Sequence, residues 1–122
     1  MKSSLSVLLV EDEPLIAMLA EEMLSELGHR ATAIAASLEE GLRAIEAHSF
    51  DLALLDVNLN GSFSFPIANA AAGKGIPVLF LTGFGREHMA SLADAFVLHK
   101  PYSSSDLERA IRDVLEARFG HQ

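Results

Sequence analysis

The chain of 122 residues has no cysteine, a formal net charge of −8, and an apolar content of 50%. This length supports one domain with a real core. The composition excludes disulfide and thiol chemistry and argues against non-specific nucleic-acid binding, which needs clustered Lys and Arg. The apolar runs are too short for a bilayer span, and a cysteine-free chain is compatible with the expected cytoplasmic setting.

In chain order, the run at Leu5–Val10 reads as a buried strand because it is short, apolar and bounded by the turn-forming pair Glu11-Asp12. Pro14 suits the first turn of a helix, along which Leu15, Ile16, Leu19, Met23 and Leu27 recur at helical spacing until Gly28 stops it. A weaker strand covers Arg30–Ala35. Ser37 and Glu40 form a capping-box signature for a helix over Leu38–Ala47. The third strand is Leu52–Leu55. Asn60-Gly61 marks a turn, and Pro66 opens a short alanine-rich helix ending by Gly73. The fourth strand is Val78–Leu81, followed by a weakly helical segment from Gly83 to Asp94. That segment is expected to hold a short or poorly ordered helix able to switch. The fifth strand is about Ala95–Leu98. Ser103 and Asp106 then cap a closing helix with an apolar stripe at Leu107, Ile111, Val114, Leu115 and Phe119.

Strands alternating with helices predict an α/β fold, a doubly wound five-stranded parallel sheet of flavodoxin-like (βα)5 type with order 2-1-3-4-5. Ligands in such sheets sit at the carboxyl ends of the strands, where the strand order switches. Glu11, Asp12 and Asp56 converge there, with Thr82 and Lys100 approaching from the other side. Three close carboxylates repel one another unless a cation neutralises them, and Mg²⁺ suits hard oxygen donors of this kind. Lys100 supplies a point charge for a phosphate and Thr82 a hydroxyl hydrogen bond. A carboxylate nucleophile with metal help and charge stabilisation can form an aspartyl phosphate. Taken singly, each residue has a plainer role: Asp56 as a turn or cap, Glu11-Asp12 favouring a helix start, Thr82-Gly83 as a strand exit, Lys100-Pro101 as a solvated loop. Their fall on successive strand ends favours a shared site.

The segments Val10-Glu11-Asp12-Glu13-Pro14, Leu54-Leu-Asp56-Val-Asn58-Leu, Phe80-Leu-Thr82-Gly83 and His99-Lys100-Pro101-Tyr together resemble the receiver domain of two-component response regulators, across essentially the whole chain. The resemblance implies that Asp56 is the phosphoacceptor, Asp12 the direct metal ligand and Glu11 its mostly water-mediated partner. It makes Asn58 the position whose backbone carbonyl completes the Mg²⁺ site, and Thr82 and Lys100 the switch hydroxyl and the phosphate-pairing lysine. It also implies a cis Lys100–Pro101 bond. Two departures stand out. Val97 occupies the place of the usual aromatic switch residue, and Asn58-Leu-Asn-Gly61 replaces the usual Met-Pro. With Phe80-Leu-Thr-Gly-Phe84-Gly85, the pattern is similar to a subgroup of single-domain receivers with an aromatic just after the switch threonine-glycine, so Phe84 takes the work of the missing ring.

The function expected is a receiver domain over residues 1–122 without an output domain. A sensor histidine kinase or phosphotransfer protein phosphorylates it, and it acts through protein contacts as a monomer or weak homodimer. It is not a turnover enzyme. A phosphatase-like enzyme would need another acid two residues after Asp56, where Asn58 stands. A non-switching adaptor fits poorly with the complete set Glu11, Asp12, Asp56, Thr82 and Lys100. The five histidines are expected at surface or loop positions, with His99 beside Lys100. Arg109, Arg112 and Arg118 alternate with Glu108, Asp113 and Glu116 as a solvated mixed-charge face. Gly73-Lys-Gly75 lacks the pattern of a phosphate-cradling loop.

Overall fold

Strands that are apolar on both faces need cover on both sides. A computed structural model of the chain, describing residues 4–83 and 95–119, supplies that cover. In chain order the elements are β1 (Ser6–Val10), α1 (Pro14–Glu26), β2 (Arg30–Ala35), α2 (Leu38–Ala47), β3 (Leu52–Asp56), β4 (Asn58–Leu59), β5 (Ser62–Phe63), α3 (Phe65–Gly73), β6 (Val78–Thr82), β7 (Val97–His99) and α4 (Ser104–Phe119). Five strands form one parallel sheet in the order β2-β1-β3-β6-β7, the expected 2-1-3-4-5 arrangement.

Side chains alternate across this sheet with the two-residue period of a strand. Leu8 and Val10 of β1, Ala53 and Leu55 of β3, and Phe80 of β6 face one core with Ile45 of α2 and Ile67 and Ala71 of α3. Val7 and Leu9, Leu52 and Leu54, and Leu79 and Leu81 face the other, with Ala17, Ala20 and Leu24 of α1 and Leu107, Ile111 and Val114 of α4. Leu107, Ile111 and Val114 of the closing-helix stripe are therefore core and Leu115 packs against them, as their spacing suggests.

Local signals account for the helix boundaries. Ser37 Oγ accepts the Glu40 amide at 3.1 Å while Glu40 Oε1 accepts the Ala36 amide at 2.8 Å. At the start of α4 the bonds are reciprocal within one pair, the Asp106 amide donating to Ser103 Oγ at 3.1 Å and the Ser103 amide to Asp106 Oδ2 at 2.9 Å. Pro14 opens α1, and Gly28 adopts φ +87° beyond its end, a conformation open to glycine at no steric cost.

The structure departs from the sequence reading in three places. α1 buries Ala17, Ala20 and Leu24, while Leu15 and Leu19 of the expected apolar stripe are 72% and 53% exposed. The small alanines let the helix backbone lie close to the sheet, which turns the leucines outward. The last strand runs over Val97–His99 rather than from Ala95, in register with Phe80–Thr82. The Asn60-Gly61 turn stands where it was expected, but it is the tip of an antiparallel hairpin, β4 paired with β5, whose two strands the sequence reading did not include. Its two tip residues have φ of 55° and 96°, the left-handed values that a two-residue hairpin loop requires. The expected helix in the segment from Gly83 to Asp94 lies, beyond Gly83, outside the described residues, as does Phe84.

Candidate functional site at the carboxyl edge of the sheet

The site is assembled by strand ends. After β1 the Glu11 amide donates to Ala35 O at the end of β2, 3.0 Å away, which holds Glu11 at the sheet edge. Its carboxylate is buried: Oε2 accepts the Glu13 amide at 3.1 Å and Oε1 accepts from Lys100 Nζ at 2.8 Å. Asp56 is the last residue of β3, paired with Leu81 on β6, and is 8% exposed. Its Oδ1 lies 2.8 Å from the same Lys100 nitrogen. Lys100 follows β7, and its amide donates to Thr82 O at 2.8 Å, so the backbone that carries the lysine is tied to the end of β6. The Lys100–Pro101 peptide bond is cis. Asp12 is partly buried, and one carboxylate oxygen each from Glu11, Asp12 and Asp56 lie within 4.8 Å of one another.

One ammonium thus pairs with two of three clustered acids. Burial pushes the Glu11 and Asp56 carboxyls up, against the hydrogen bonds from Lys100 that pull them down. The Asp56 charge raises Glu11 further, and the Asp12 charge does the same to Asp56. At Lys100 burial acts to lower the pKa, but hydrogen bonds and charge from Asp56 and Glu11 outweigh it and the ammonium is held above its ordinary range. The excess negative charge is what a hard divalent cation would neutralise. Three clustered carboxylates, of which Asp12 and Asp56 line an open groove, suit Mg²⁺, which takes few protein oxygens and keeps several waters.

That groove has a volume of about 820 Å³. Asp12, Asp56, Asn58, Thr82 and Lys100 line one part of it, together with Asn60 and Gly61 of the hairpin tip. Ile16, Leu19 and Met23 of α1, with Pro101 and Tyr102, form an apolar extension. The structure therefore brings together every sequence-predicted site residue that it describes. Asn58 accepts the Gly61 amide on Oδ1 at 2.8 Å. Tyr102 escaped the sequence reading. It stands half-buried in the groove wall, and burial foremost pushes its phenol up. Its nearness to Lys100 in the sequence was the available signal. His29 was read as a surface or loop residue. It does lie in the α1–β2 loop, but is half-buried and accepts the Leu5 amide on Nδ1 at 3.1 Å.

Residues 7–112 match the family model of the response regulator receiver domain. The chain belongs to that family. This receiver is 37% identical over 118 residues to the transcriptional regulatory protein PdtaR of Mycobacterium tuberculosis, covering 93% of this chain and 57% of PdtaR. It is 30% identical over 114 residues to the phyllosphere-induced regulator PhyR of Methylorubrum extorquens, covering 89% of this chain and 43% of PhyR. The receiver spans about half the length of the curated relatives it matches. Among solved structures, SdrG from Sphingomonas melonis superimposes with a TM-score of 0.82 at 36% identity, covering 94% of this chain and 99% of SdrG. The anti-anti-sigma factor PhyR of Bartonella quintana gives 0.82 at 27% identity, covering 96% of this chain and 50% of that one. No helix among the described residues is long and apolar enough to cross a membrane.

Proposed function

We propose that this receiver is a phosphorylation switch in which Asp56 accepts a phosphoryl group from a phosphohistidine on a sensor kinase or phosphotransfer protein. The supporting observation is the Lys100 ammonium set 2.8 Å from both Glu11 and Asp56 at one sheet edge, with Asp12 closing the acidic cluster. An oxygen of Asp56 attacks phosphorus, the phosphorus–nitrogen bond breaks, and its electron pair leaves on the imidazole. Asp56 sits at the rigid end of a central strand, so the attacking oxygen is positioned before the donor arrives. Lys100 exchanges a carboxylate partner for the incoming phosphoryl oxygens, and the Thr82 hydroxyl, on the same groove wall, donates to one of them. Glu11, Asp12 and Asp56 would hold Mg²⁺, with the Asn58 backbone carbonyl as a further ligand. When bound, the metal neutralises the carboxylates and draws charge from the phosphoryl oxygens.

The acyl phosphate formed is then lost to water, which makes the receiver a timed regulator rather than a turnover enzyme on an external substrate. The phosphatase alternative lacks its second acid, since Asn58 holds that place. Its Oδ1 is already engaged by the Gly61 amide. Likeness to an anti-anti-sigma factor supports an output through contact with another protein. The test is incubation with Mg²⁺ and a small acyl phosphate, read by intact mass. Wild type should gain one phosphoryl mass and lose it over time, Asp56→Ala should gain none, and unchanged labelling of Asp56→Ala would refute the assignment.

A further inference from the structure

The β4–β5 hairpin leaves the sheet two residues after Asp56 and returns an aromatic side chain toward the strand that carries Thr82. Phe63 on β5 packs against Phe65, the first residue of α3, with ring centroids 5.9 Å apart and planes at 32°. Phe65 meets Phe80 of β6 edge to face, 5.7 Å apart at 70°. Phe80 is 6% exposed and Phe63 37%, so the three rings run from core to surface. Phe80 and Thr82 are two positions apart on one strand and therefore share a face. On the other side Asn58, in the groove wall, is the register partner of Phe63. The register partner of Phe80 on β7 is Val97, so that strand offers no ring at this point.

We infer that the Phe80–Phe65–Phe63 stack is a conformational coupling built into this receiver, carrying a change at Asp56 and Thr82 to the exposed face of the hairpin. The inference rests on Asp56 being the phosphoryl acceptor. A phosphoryl group held by Thr82 displaces the end of β6, and Phe80 moves with it because the two side chains stand side by side. Close-packed interiors do not absorb such shifts by compression. Large rigid rings with preferred edge-to-face and offset contacts pass the displacement on as a change of packing. Phe63, the most exposed of the three rings, changes its exposure.

Spatial continuity alone does not establish coupling. The decisive experiment therefore measures it, using beryllofluoride with Mg²⁺ as the phosphoryl mimic. Bound mimic is read by its own fluorine resonance, and the Phe63 ring by carbon-13 labelling of the phenylalanines. In wild type the bound resonance and a shifted Phe63 ring should appear together. In Phe65→Leu the bound resonance should persist while the Phe63 response disappears, and Phe65→Met, which keeps volume without a ring, serves if the leucine variant does not fold. By reciprocity, Phe63→Ala should change the affinity for the mimic at least about twofold in wild type and leave it unchanged in the Phe65 variant. A bound resonance with a silent Phe63 ring, or an undiminished ring response without the Phe65 ring, overturns the coupling. Absence of any bound resonance in wild type instead defeats the phosphoryl-acceptor reading, and the coupling falls with it.

Discussion

At its Nδ1 atom His29 accepts the Leu5 amide hydrogen, while the Arg30 amide donates to Leu5 O at 2.9 Å, so the imidazole completes the first rung between β1 and β2. Only the neutral ring can accept there, since both nitrogens of a protonated ring are donors. Burial foremost pulls the His29 pKa down, with the Glu108 charge opposing it. The folded chain thus binds fewer protons than the unfolded one just below the ordinary histidine range, and stability rises with pH through that window. Expressed in the acid direction, this contribution is lost as pH falls through the unfolded value of about 6.5 toward the lower folded one. Urea unfolding at pH 8 and pH 5 should show a loss of stability in wild type that shrinks in His29→Gln; an equal loss in both would refute the role. Nothing in the sequence around His29 announces this, because the bond joins residues brought together only by the β1–β2 pairing. Asp56, Asp12 and Lys100 were legible for the opposite reason. Each stands at the end of an apolar run, and strand ends of a parallel sheet share one edge whatever the details of packing.

Among the elements, α2 meets α3 tightly at Gly41. A Cβ built there would collide with Ile67 Cδ1 and reach 3.5 Å from Val10 Cγ2. Ile67 is completely buried and has little room to give. Gly41→Ala gains up to about 1 kcal/mol in helix propensity, yet overpacking a tight core costs roughly 1–3 kcal/mol. The expected net result is a loss of up to about 2 kcal/mol in chemical unfolding, and a stabilised variant would show that Ile67 can move aside. Helix ends were readable from short-range chemistry, as the two capping boxes demonstrate. Two other elements were misread for physical reasons. The apolar stripe of α1 does not tell which of its flanks meets the sheet, because the alanines beside it fit the close approach better than the leucines. The hairpin strands are each two residues long, too short for an alternating pattern to register, although Asn60-Gly61 was the signal for a two-residue loop.

Over the whole molecule a net charge of −8 is concentrated further at the sheet edge, where three acids cluster around a site with one lysine, paired with two of them. A divalent cation that binds only the folded chain raises its stability by RT ln(1 + [L]/Kd), about 1.4 kcal/mol at ten times Kd. For a domain of this size, that corresponds to a rise of roughly 3–8 °C in the melting temperature. The rise with Mg²⁺ should disappear in Asp12→Ala, and its survival there would place the metal elsewhere. In the structure Lys100 already supplies positive charge to two of those carboxylates, each 2.8 Å away. Metal uptake at the proposed site would therefore be an ion exchange, one cation arriving as a tethered one lets go, and its free energy would be a difference between two favourable interactions. Such an exchange would keep affinity modest and leave the lysine free for the next anion to enter. Lys100→Met should accordingly bind Mg²⁺ several-fold more tightly than wild type in calorimetric titration, since an attraction of unit charges at this distance weighs kcal/mol even at a partly wet surface. Equal or weaker binding would mean that the lysine and the metal do not compete. On this account the ion pair is less a brace for the fold than a placeholder, and the resting molecule is one in which the protein acts as its own counterion.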